Sequence, residues 1–399
     1  MTTSSEPLPS TERILLLDIW RGFAIFGILA ANMSIFMAPD FLPGHVSQLL
    51  LWYDQWAKFL VKFFVLGKFF TIFSFLFGLG FALQLARAEA KGNDIRSFYP
   101  RRLLALLGFG VLHYLLFWEG DILRLYALLG FVLLAFRHRS NRSVLAAAAS
   151  CFVLSVLLTT IVLSMLSTSG TSDPTLSTTG IDFVAEARAA YTSPSYLAVL
   201  AYHIRIFFYD FSYLMFIQGL SVLALFLLGL YVGRLRLLDH LPEQRCRLQR
   251  ILVAGLGLGL FSNLVYVVSK NPGLTGAGYV LGGLSLAVVY LSTLALLSLD
   301  ETWQRRLAPL ACVGRLALTN YVLQSVVCTT IFYGFGFGLY EKLGQAQGLL
   351  LSVLIFGFQI PLSVWWLKHF QYGPLEWLWR GITYGKRPPF FKILQSQPS

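Results

Sequence analysis

The sequence has little charge. Asp, Glu, Lys and Arg make up only 13% of its 399 residues, whereas 56% of the residues are hydrophobic. A soluble domain carries about 25% charged residues, because its surface must be hydrated. The composition therefore excludes a soluble globular protein. Repeated apolar runs of about twenty residues predict membrane-spanning helices instead. Such runs are too long for barrel strands and lack their alternating pattern.

Common catalytic and metal-binding motifs are also missing. No CxxC, HExxH or P-loop pattern occurs in the sequence. The cysteines are few and scattered, so they indicate neither a disulfide framework nor a metal site. They are Cys151, Cys246, Cys312 and Cys328. We therefore expect no metal. The polar first twelve residues lack a positive cluster, and no small-residue cleavage site follows them, so no cleavable signal peptide is expected.

We predict an all-α, polytopic membrane protein with about ten transmembrane helices. The predicted spans are 14–37, 60–86, 102–117, 121–136, 144–166, 206–232, 251–268, 277–299, 312–334 and 347–369. They divide the chain into two five-helix membrane halves with a long extracytoplasmic loop between them and a tail at each end. These parts are the tail 1–13, the half 14–166, the loop 167–205, the half 206–370 and the interfacial tail 371–399.

The net charge of +12 follows the membrane topology. The connections on one side carry most of the cations, which marks that side as cytoplasmic and places both termini there. These cations are Arg87, Lys91, Arg96, Arg101, Arg137, Arg139, Arg142, Arg234, Arg236, Arg245, Arg247, Arg250, Arg305 and Arg306. The lipid bilayer is therefore the expected partner, and nucleic acid is not. The loop 167–205 suits either a lid over a site or an interfacial helix without a catalytic role.

The first span is unusual because it is apolar yet carries Asp18, Arg21 and Asn32. A charge in hydrocarbon costs about 2.5–3.5 kcal/mol even on a lenient scale. Asp18 and Arg21 lie roughly 60° apart on a helix, and Arg21 and Asn32 only about 20° apart. The three side chains therefore form one polar stripe. The stripe is either a structural ion pair that fixes helix packing or the lining of a polar path or active site.

The passage from Arg101 to Arg124 is the most informative. Arg102 and His113 are eleven residues apart and share a helix face. Glu119 and Asp121 follow His113 across a tight turn, and a carboxylate beside an imidazole sets its tautomer and makes it a better general base. Two alternatives stay open, because a membrane histidine is often a packing residue and Asp121 suits a helix N-cap.

Other polar groups occur in apolar runs. Lys68 lies deep enough to need a partner or water. Gly314-Arg315 opens a later span in which Asn320 and Gln324 share one face at i and i+4. Such side chains either line a site or join helices by hydrogen bonds worth about 0.6 kcal/mol each.

Several blocks of sequence together resemble one family. They are Asp18–Arg21-Gly22 to Asn32, Gly67-Lys68-Phe69, Arg101-Arg102 through His113 to Gly120-Asp121, Gly314-Arg315 to Asn320-Tyr321 with Gln324-Ser325, and Gly373-Pro374-Leu375-Glu376-Trp377 to Arg380. This set resembles the YeiB-like family of bacterial inner-membrane proteins, whose C-terminal half is a domain of unknown function. The resemblance implies a multi-pass protein of the bacterial cytoplasmic membrane and no established activity.

A more distant resemblance points to an activity. The first span and the Arg101-Arg102 segment are similar to those of transmembrane acyltransferases that modify sugars across a membrane. Such proteins take an acyl group from a cytoplasmic donor, commonly acetyl-CoA, and deliver it to an acceptor on the far side. The acyltransferase-3 type ends its first span with a histidine, where this sequence has Asn32.

The leading hypothesis is a transmembrane acyltransferase with an acyl-CoA donor and an extracytoplasmic or lipid-linked acceptor. Arg101 and Arg102 would attract the phosphates of coenzyme A. His113 would deprotonate the acceptor or briefly carry the acyl group. The remaining candidate residues are Glu119 or Asp121 to orient His113, Asn32 or Asn320 for the oxyanion, and Arg124, Arg315 and Gln324 for substrate binding.

The second hypothesis is a transporter or flippase for a small metabolite or a lipid-linked substrate. Asp18, Arg21, Lys68 and His113 would then form the path of the substrate or of protons. A structural or sensory membrane role is a third reading, and the oligomeric state is left open.

Overall fold

The computed structural model describes residues 15–38, 51–168, 183–237 and 241–392. Within these ranges the chain forms fourteen α-helices. They are α1 Leu15–Met37, α2 Trp52–Phe64, α3 Lys68–Ala90, α4 Tyr99–Leu116, α5 Leu123–Ala135, α6 Asn141–Thr168, α7 Phe183–Thr192, α8 Tyr196–Arg234, α9 Arg245–Val268, α10 Pro272–Leu297, α11 Glu301–Arg315, α12 Ala317–Phe332, α13 Gln345–His369 and α14 Pro374–Tyr384. The predicted all-α fold is confirmed.

The helices have the length and composition of a polytopic membrane protein. Six stretches of the described chain are long and apolar enough to cross a bilayer, and a seventh is added if the bent pair α11 and α12 forms one span. The predicted count of ten is not confirmed. The segment 121–136 contributes only the thirteen residues of α5, or about 20 Å, which is shorter than a hydrocarbon core of about 30 Å.

Two predicted spans contain breaks that hydrophobicity does not reveal. The span 60–86 is divided between α2 and α3 at Gly67, whose φ of +85° favours glycine. The span 312–334 begins in α11, and the chain bends by 75° before α12. Because the sequence is apolar on both sides of each break, hydrophobicity alone predicts one continuous span in each case.

The predicted loop 167–205 contains more helix than the sequence indicated. Helix α8 begins at Tyr196, ten residues before the expected span, and continues without interruption to Arg234. Its 39 residues extend over about 58 Å, which exceeds the thickness of the bilayer. Helix α7 precedes it, and residues 169–182 of the predicted loop lie outside the described residues, as do the predicted tail 1–13 and the end of the C-terminal tail.

The cationic connections come together on one side of the bundle, which we call the basic side. Here the Arg234 guanidinium at the end of α8 donates to the backbone carbonyls of Phe136, Arg137 and Arg139, between α5 and α6. Helix α14 lies on the same side, because its Trp379 indole donates to the Arg102 carbonyl of α4 at 2.8 Å.

Helix α14 also holds the first turn of α12. The carboxylate of Glu376 accepts hydrogen bonds from the backbone N–H groups of Leu318 and Thr319 at 2.8 and 3.0 Å. It also accepts one from the Thr319 hydroxyl. Burial raises the pKa of the Glu376 carboxyl above its ordinary value of 4.5, and the hydrogen bonds partly offset that rise. These bonds satisfy N–H groups that a helix start leaves unpaired after the bend.

Helices α1 and α11 approach each other at two glycines. A Cβ atom on Gly22 would overlap the backbone carbonyl of Leu310, and a Cβ atom on Gly314 would overlap the carbonyl of Asp18. Small residues allow helix backbones to come this close in a membrane protein. The contact fixes the part of α1 that carries Asp18 and Arg21.

We expect Gly314→Ala to destabilise the protein by about 1–3 kcal/mol, because the added methyl group would push α1 and α11 apart. The matched control is Gly257→Ala on α9, where a Cβ atom would meet no described atom within 4 Å. The control should be neutral or slightly stabilising, since alanine favours a helix by about 1 kcal/mol over glycine. Thermal unfolding in detergent measures both. Equal midpoints for the two variants would contradict the close contact.

Candidate functional site

A cavity of about 290 Å³ opens among the ends of α1, α3, α4, α12 and α14 on the basic side. Its wall includes five arginines but only two carboxylates, those of Asp18 and Glu376. The arginines are Arg21, Arg87, Arg102, Arg315 and Arg380. The cavity is therefore cationic and suits an anionic ligand, especially one with phosphate groups.

The cavity becomes apolar toward the middle of the bundle. Along α3 its wall extends from Arg87 to Phe73, a distance of about 21 Å. At its inner end the wall includes Ile122, Tyr126 and Tyr321. A ligand with a charged head and an extended apolar portion matches this arrangement.

The two arginines that begin α4 differ in their surroundings. The guanidinium of Arg102 stacks on the Trp379 ring, 3.6 Å from the ring centroid, and Arg102 lines the cavity. Arg101 is exposed and does not line the cavity. In α1, Arg21 Nη1 and Asp18 Oδ1 form an ion pair of 2.9 Å, and both residues line the cavity.

His113 lies behind the inner end of the cavity, in a buried hydrogen-bonded network. Its Nδ1 atom is 2.9 Å from Asp121 Oδ2, and its Nε2 atom is 2.8 Å from the Ser325 hydroxyl of α12. His113 does not line the cavity, but its ring contacts that of Tyr321, with centroids 4.9 Å apart. One aromatic side chain therefore contacts both the cavity and the histidine.

Asp121 joins this histidine to two further charges. Its Oδ1 atom accepts from the backbone N–H of Arg124 at 3.0 Å and from the Arg124 Nε at 3.3 Å. The same guanidinium donates to Asp210 of α8 at 3.0 Å and lies over the Tyr114 ring. The N-cap residue of α5 is Ile122 and not Asp121 as predicted, but the Asp121 carboxylate still accepts from an N–H group in the first turn of α5 while it contacts His113.

Glu119 has a different partner from the one expected. Its Oε2 atom is 3.2 Å from Nε2 of His203 in α8. The other ring nitrogen of His203 faces the backbone carbonyl of Leu115 at 3.1 Å. The Tyr191 hydroxyl is also 3.2 Å from Nε2 of His203. The structure does not bring Glu119 to His113, since the side chain points toward α8.

Helices α7 and α8 cover the turn between α4 and α5 on the side opposite the basic side. The Tyr196 hydroxyl donates to the Leu116 carbonyl at 2.7 Å. Tyr191 of α7 stacks on Tyr333 with centroids 4.2 Å apart. Both interpretations of the loop 167–205, a lid over a site or an interfacial helix without a catalytic role, stay predictions.

The remaining predicted site residues lie away from the cavity. Asn32 is half-buried farther along α1. Lys68 is fully buried at the start of α3, where its ammonium group donates to the Lys62 carbonyl and faces Tyr266 of α9. Asn320 and Gln324 share the partner Gln359 of α13, so they connect helices. Within the described ranges, no group of three or more metal-ligating side chains could hold a metal ion.

Several residues of the site received no role from the sequence. Ser325, Tyr321 and Asp210 stand in apolar spans, and neither their spacing nor their type distinguished them. Arg87 counted only as a topological cation, and Arg380 only as part of a block that carries the family resemblance. One feature of the sequence could have identified Ser325. It directly follows Gln324 in one of the blocks that carry the family resemblance.

The fold and the site define a helical membrane protein with a cationic cavity that ends beside a buried polar network. Residues 232–386 match the family model described as a protein of unknown function, DUF418. The chain is 34% identical to the uncharacterized protein YxaH of Bacillus subtilis, covering 98% of this chain and 99% of the relative. It is 29% identical to the uncharacterized protein YeiB of Escherichia coli, covering 93% and 96%.

The chain therefore belongs to the YeiB-like DUF418 family, as the sequence predicted. A relative from Bacillus acidopullulyticus is 30% identical over 96% of this chain and 97% of its own length. No solved structure matches the chain. The names of these relatives state no activity, so the similarity to transmembrane acyltransferases stays a prediction.

We expect Arg124→Met to destabilise the protein severely, by about 3–5 kcal/mol, because it leaves Asp121 and Asp210 without their shared cation. Arg101→Met is the matched control, since Arg101 is exposed. Adding Asp210→Asn to Arg124→Met should recover part of the loss by removing one unpaired carboxylate. Monodisperse yield and the unfolding midpoint in detergent are the measurements. If Arg124→Met alone were as stable as wild type, the ion pairs of Arg124 with Asp121 and Asp210 would not stabilise the fold.

Proposed function

We propose that this protein is a membrane acyltransferase that binds an acyl-coenzyme A thioester in the cationic cavity. The observation that carries the proposal is the junction at Tyr321, where an arginine-rich, apolar-ended cavity meets the His113 network. Coenzyme A has phosphate groups at one end and a thioester at the end of a long flexible arm. The arginines suit the phosphates, and the apolar inner end suits the arm and the acyl group.

His113 is the general base of the proposed reaction. In the proposed tautomer, Nδ1 of His113 is the hydrogen-bond donor and the Asp121 Oδ2 atom is the acceptor. The Nε2 atom is then the basic nitrogen, and it is directed toward Ser325. A carboxylate that fixes the tautomer also stabilises the imidazolium formed during proton transfer.

In this proposal the basic side faces the cytoplasm of a bacterial inner membrane, where acyl-CoA is made, and both ends of the chain lie there. The acceptor is a hydroxyl or amine on an extracytoplasmic or lipid-linked molecule. The cover formed by α7 and α8 then excludes water from the network, which protects the thioester from hydrolysis.

A transporter or flippase is the second candidate. One observation favours it: an ionic chain leads from His113 through Asp121 and Arg124 to Asp210, whose side chain is 26% exposed. Buried charges of this kind also form proton paths. Substrate uptake into proteoliposomes without acyl-CoA would favour this function over acyl transfer.

We expect purified protein to bind acetyl-CoA, and Arg102→Gln to weaken that binding by about 10–100-fold, the effect of one charge-assisted hydrogen bond of about 1.5–3 kcal/mol. Arg101→Gln, which changes the neighbouring arginine outside the cavity, should bind as wild type does. Equilibrium binding of radiolabelled acetyl-CoA in detergent is the measurement. Failure of wild type to bind any acyl-CoA would reject the acyltransferase class.

We expect His113→Ala to lower acyl transfer by about 10²–10⁴-fold, the usual effect of losing a general base. Its affinity for acetyl-CoA should change little, because His113 does not line the cavity. Inverted membrane vesicles supply the native acceptor, and incorporation of radiolabel from acetyl-CoA into the membrane fraction is measured. Full activity in this variant would remove His113 from the mechanism.

A further inference from the structure

Ser325, His113 and Asp121 form a series of hydroxyl, imidazole and carboxylate groups. The hydroxyl lies 2.8 Å from one ring nitrogen, and the carboxylate lies 2.9 Å from the other. The three residues come from α12, α4 and the turn before α5, and each is at most 2% exposed. This is the arrangement that turns a serine into a nucleophile in enzymes of unrelated fold.

The protons in this series are arranged for nucleophilic attack. Arg124 occupies Oδ1 of Asp121, which leaves Oδ2 directed toward Nδ1 of His113. Nε2 of His113 therefore has a free lone pair, and the Ser325 hydroxyl donates to it. A base that already accepts the hydroxyl proton can remove it as the new bond forms.

Ser325 also lies close to the end of the cavity. It follows Tyr321 by four residues on α12, so the two side chains share one helix face. Tyr321 lines the cavity, contacts the His113 ring and donates to the Gly120 carbonyl at 3.4 Å. An acyl group at the inner end of the cavity would reach the serine if this one side chain rotated aside.

We propose that Ser325 is the nucleophile of the reaction and carries the acyl group as an ester between donor and acceptor. This step rests on the acyltransferase function proposed above. In the first half, the Ser325 oxygen bonds to the acyl carbon and the carbon–sulfur bond of the thioester breaks. The serine proton passes to His113 Nε2 and then to the departing sulfur, which leaves as the free thiol of coenzyme A.

In the second half, an acceptor hydroxyl or amine attacks the serine ester. Its proton passes to His113 Nε2 and then to the Ser325 oxygen, which leaves as the carbon–oxygen bond breaks. Ser325 lies about 12 Å along α12 from the first residue of that helix, deep in the bundle and away from the basic side. Coenzyme A and the acceptor therefore never need to occupy the protein together.

The test treats purified wild-type protein with radiolabelled acetyl-CoA in the absence of any acceptor, followed by an acid quench and peptide mapping by mass spectrometry. We expect about one free coenzyme A thiol per protein molecule in a rapid burst, and an acetyl group on the peptide that contains Ser325. Ser325→Ala should reduce the label and the burst to background while it still binds acetyl-CoA.

Two further variants make the result specific. Ser325→Cys should restore labelling as a thioester that hydroxylamine removes at neutral pH, unlike the oxygen ester of wild type. Ser352→Ala is the matched control, because Ser352 is a fully buried serine of α13 whose hydroxyl donates only to the Gly348 carbonyl. It should label as wild type does. If Ser325→Ala fails to fold, the peptide map of wild type alone decides.

Each outcome has a definite meaning. Full transfer activity in Ser325→Ala, or an acetyl group found on His113, would overturn the serine intermediate and leave the acyltransferase function intact. A third result would also overturn the serine intermediate but not the acyltransferase function: acyl transfer in membranes, with neither a burst of coenzyme A nor a label in the purified protein. This result would indicate direct transfer from donor to acceptor. Wild-type protein that neither binds nor consumes acetyl-CoA would instead reject the proposed function itself.

Discussion

A charge buried in a medium of low dielectric constant must have a partner, and at the centre of this bundle that partner is the carboxylate of Asp121. One of its oxygens faces His113, and the other holds Arg124. Arg124 in turn holds Asp210 of α8. The network thereby fixes α4, the start of α5 and α8 relative to one another. His113 is therefore positioned by hydrogen bonds on both ring nitrogens as well as by packing on Tyr321.

Three layers follow from that arrangement. On the basic side, arginines from five different segments surround the mouth of a cavity. In the middle, Tyr321 separates the apolar end of the cavity from the hydroxyl, imidazole and carboxylate series. On the opposite side, aromatic residues of α7, α8 and the chain after α12 cover the network. In the proposed reaction, the charged donor enters from the basic side, and the cover on the opposite side keeps water from the network.

The fold class could be predicted from the sequence, but the positions at which the helices break and bend could not. Long apolar runs are a local property, so the membrane class was accessible, whereas the break at Gly67 and the bend before α12 occur inside apolar sequence. The contact of His113 with Asp121 bridges only eight residues, and the tight turn made it foreseeable. The contact with Ser325 bridges 212 residues, and no local pattern reports such a pairing. Glu119 is the opposite case. It is close to His113 in sequence and was expected to orient it, but its side chain points toward His203. His203 lies in the part of α8 that was predicted to be loop.

Helix α14 has a consequence for the order in which the site is made. Glu376 caps α12, and Trp379, Arg380 and Tyr384 complete the wall of the cavity. These residues belong to the last helix in the described chain, so every other wall is synthesised before them. A chain that has inserted all its earlier helices still lacks one side of the cavity and has unpaired N–H groups at the start of α12. The cavity is therefore complete only after α14 has been synthesised and packed against α4 and α12.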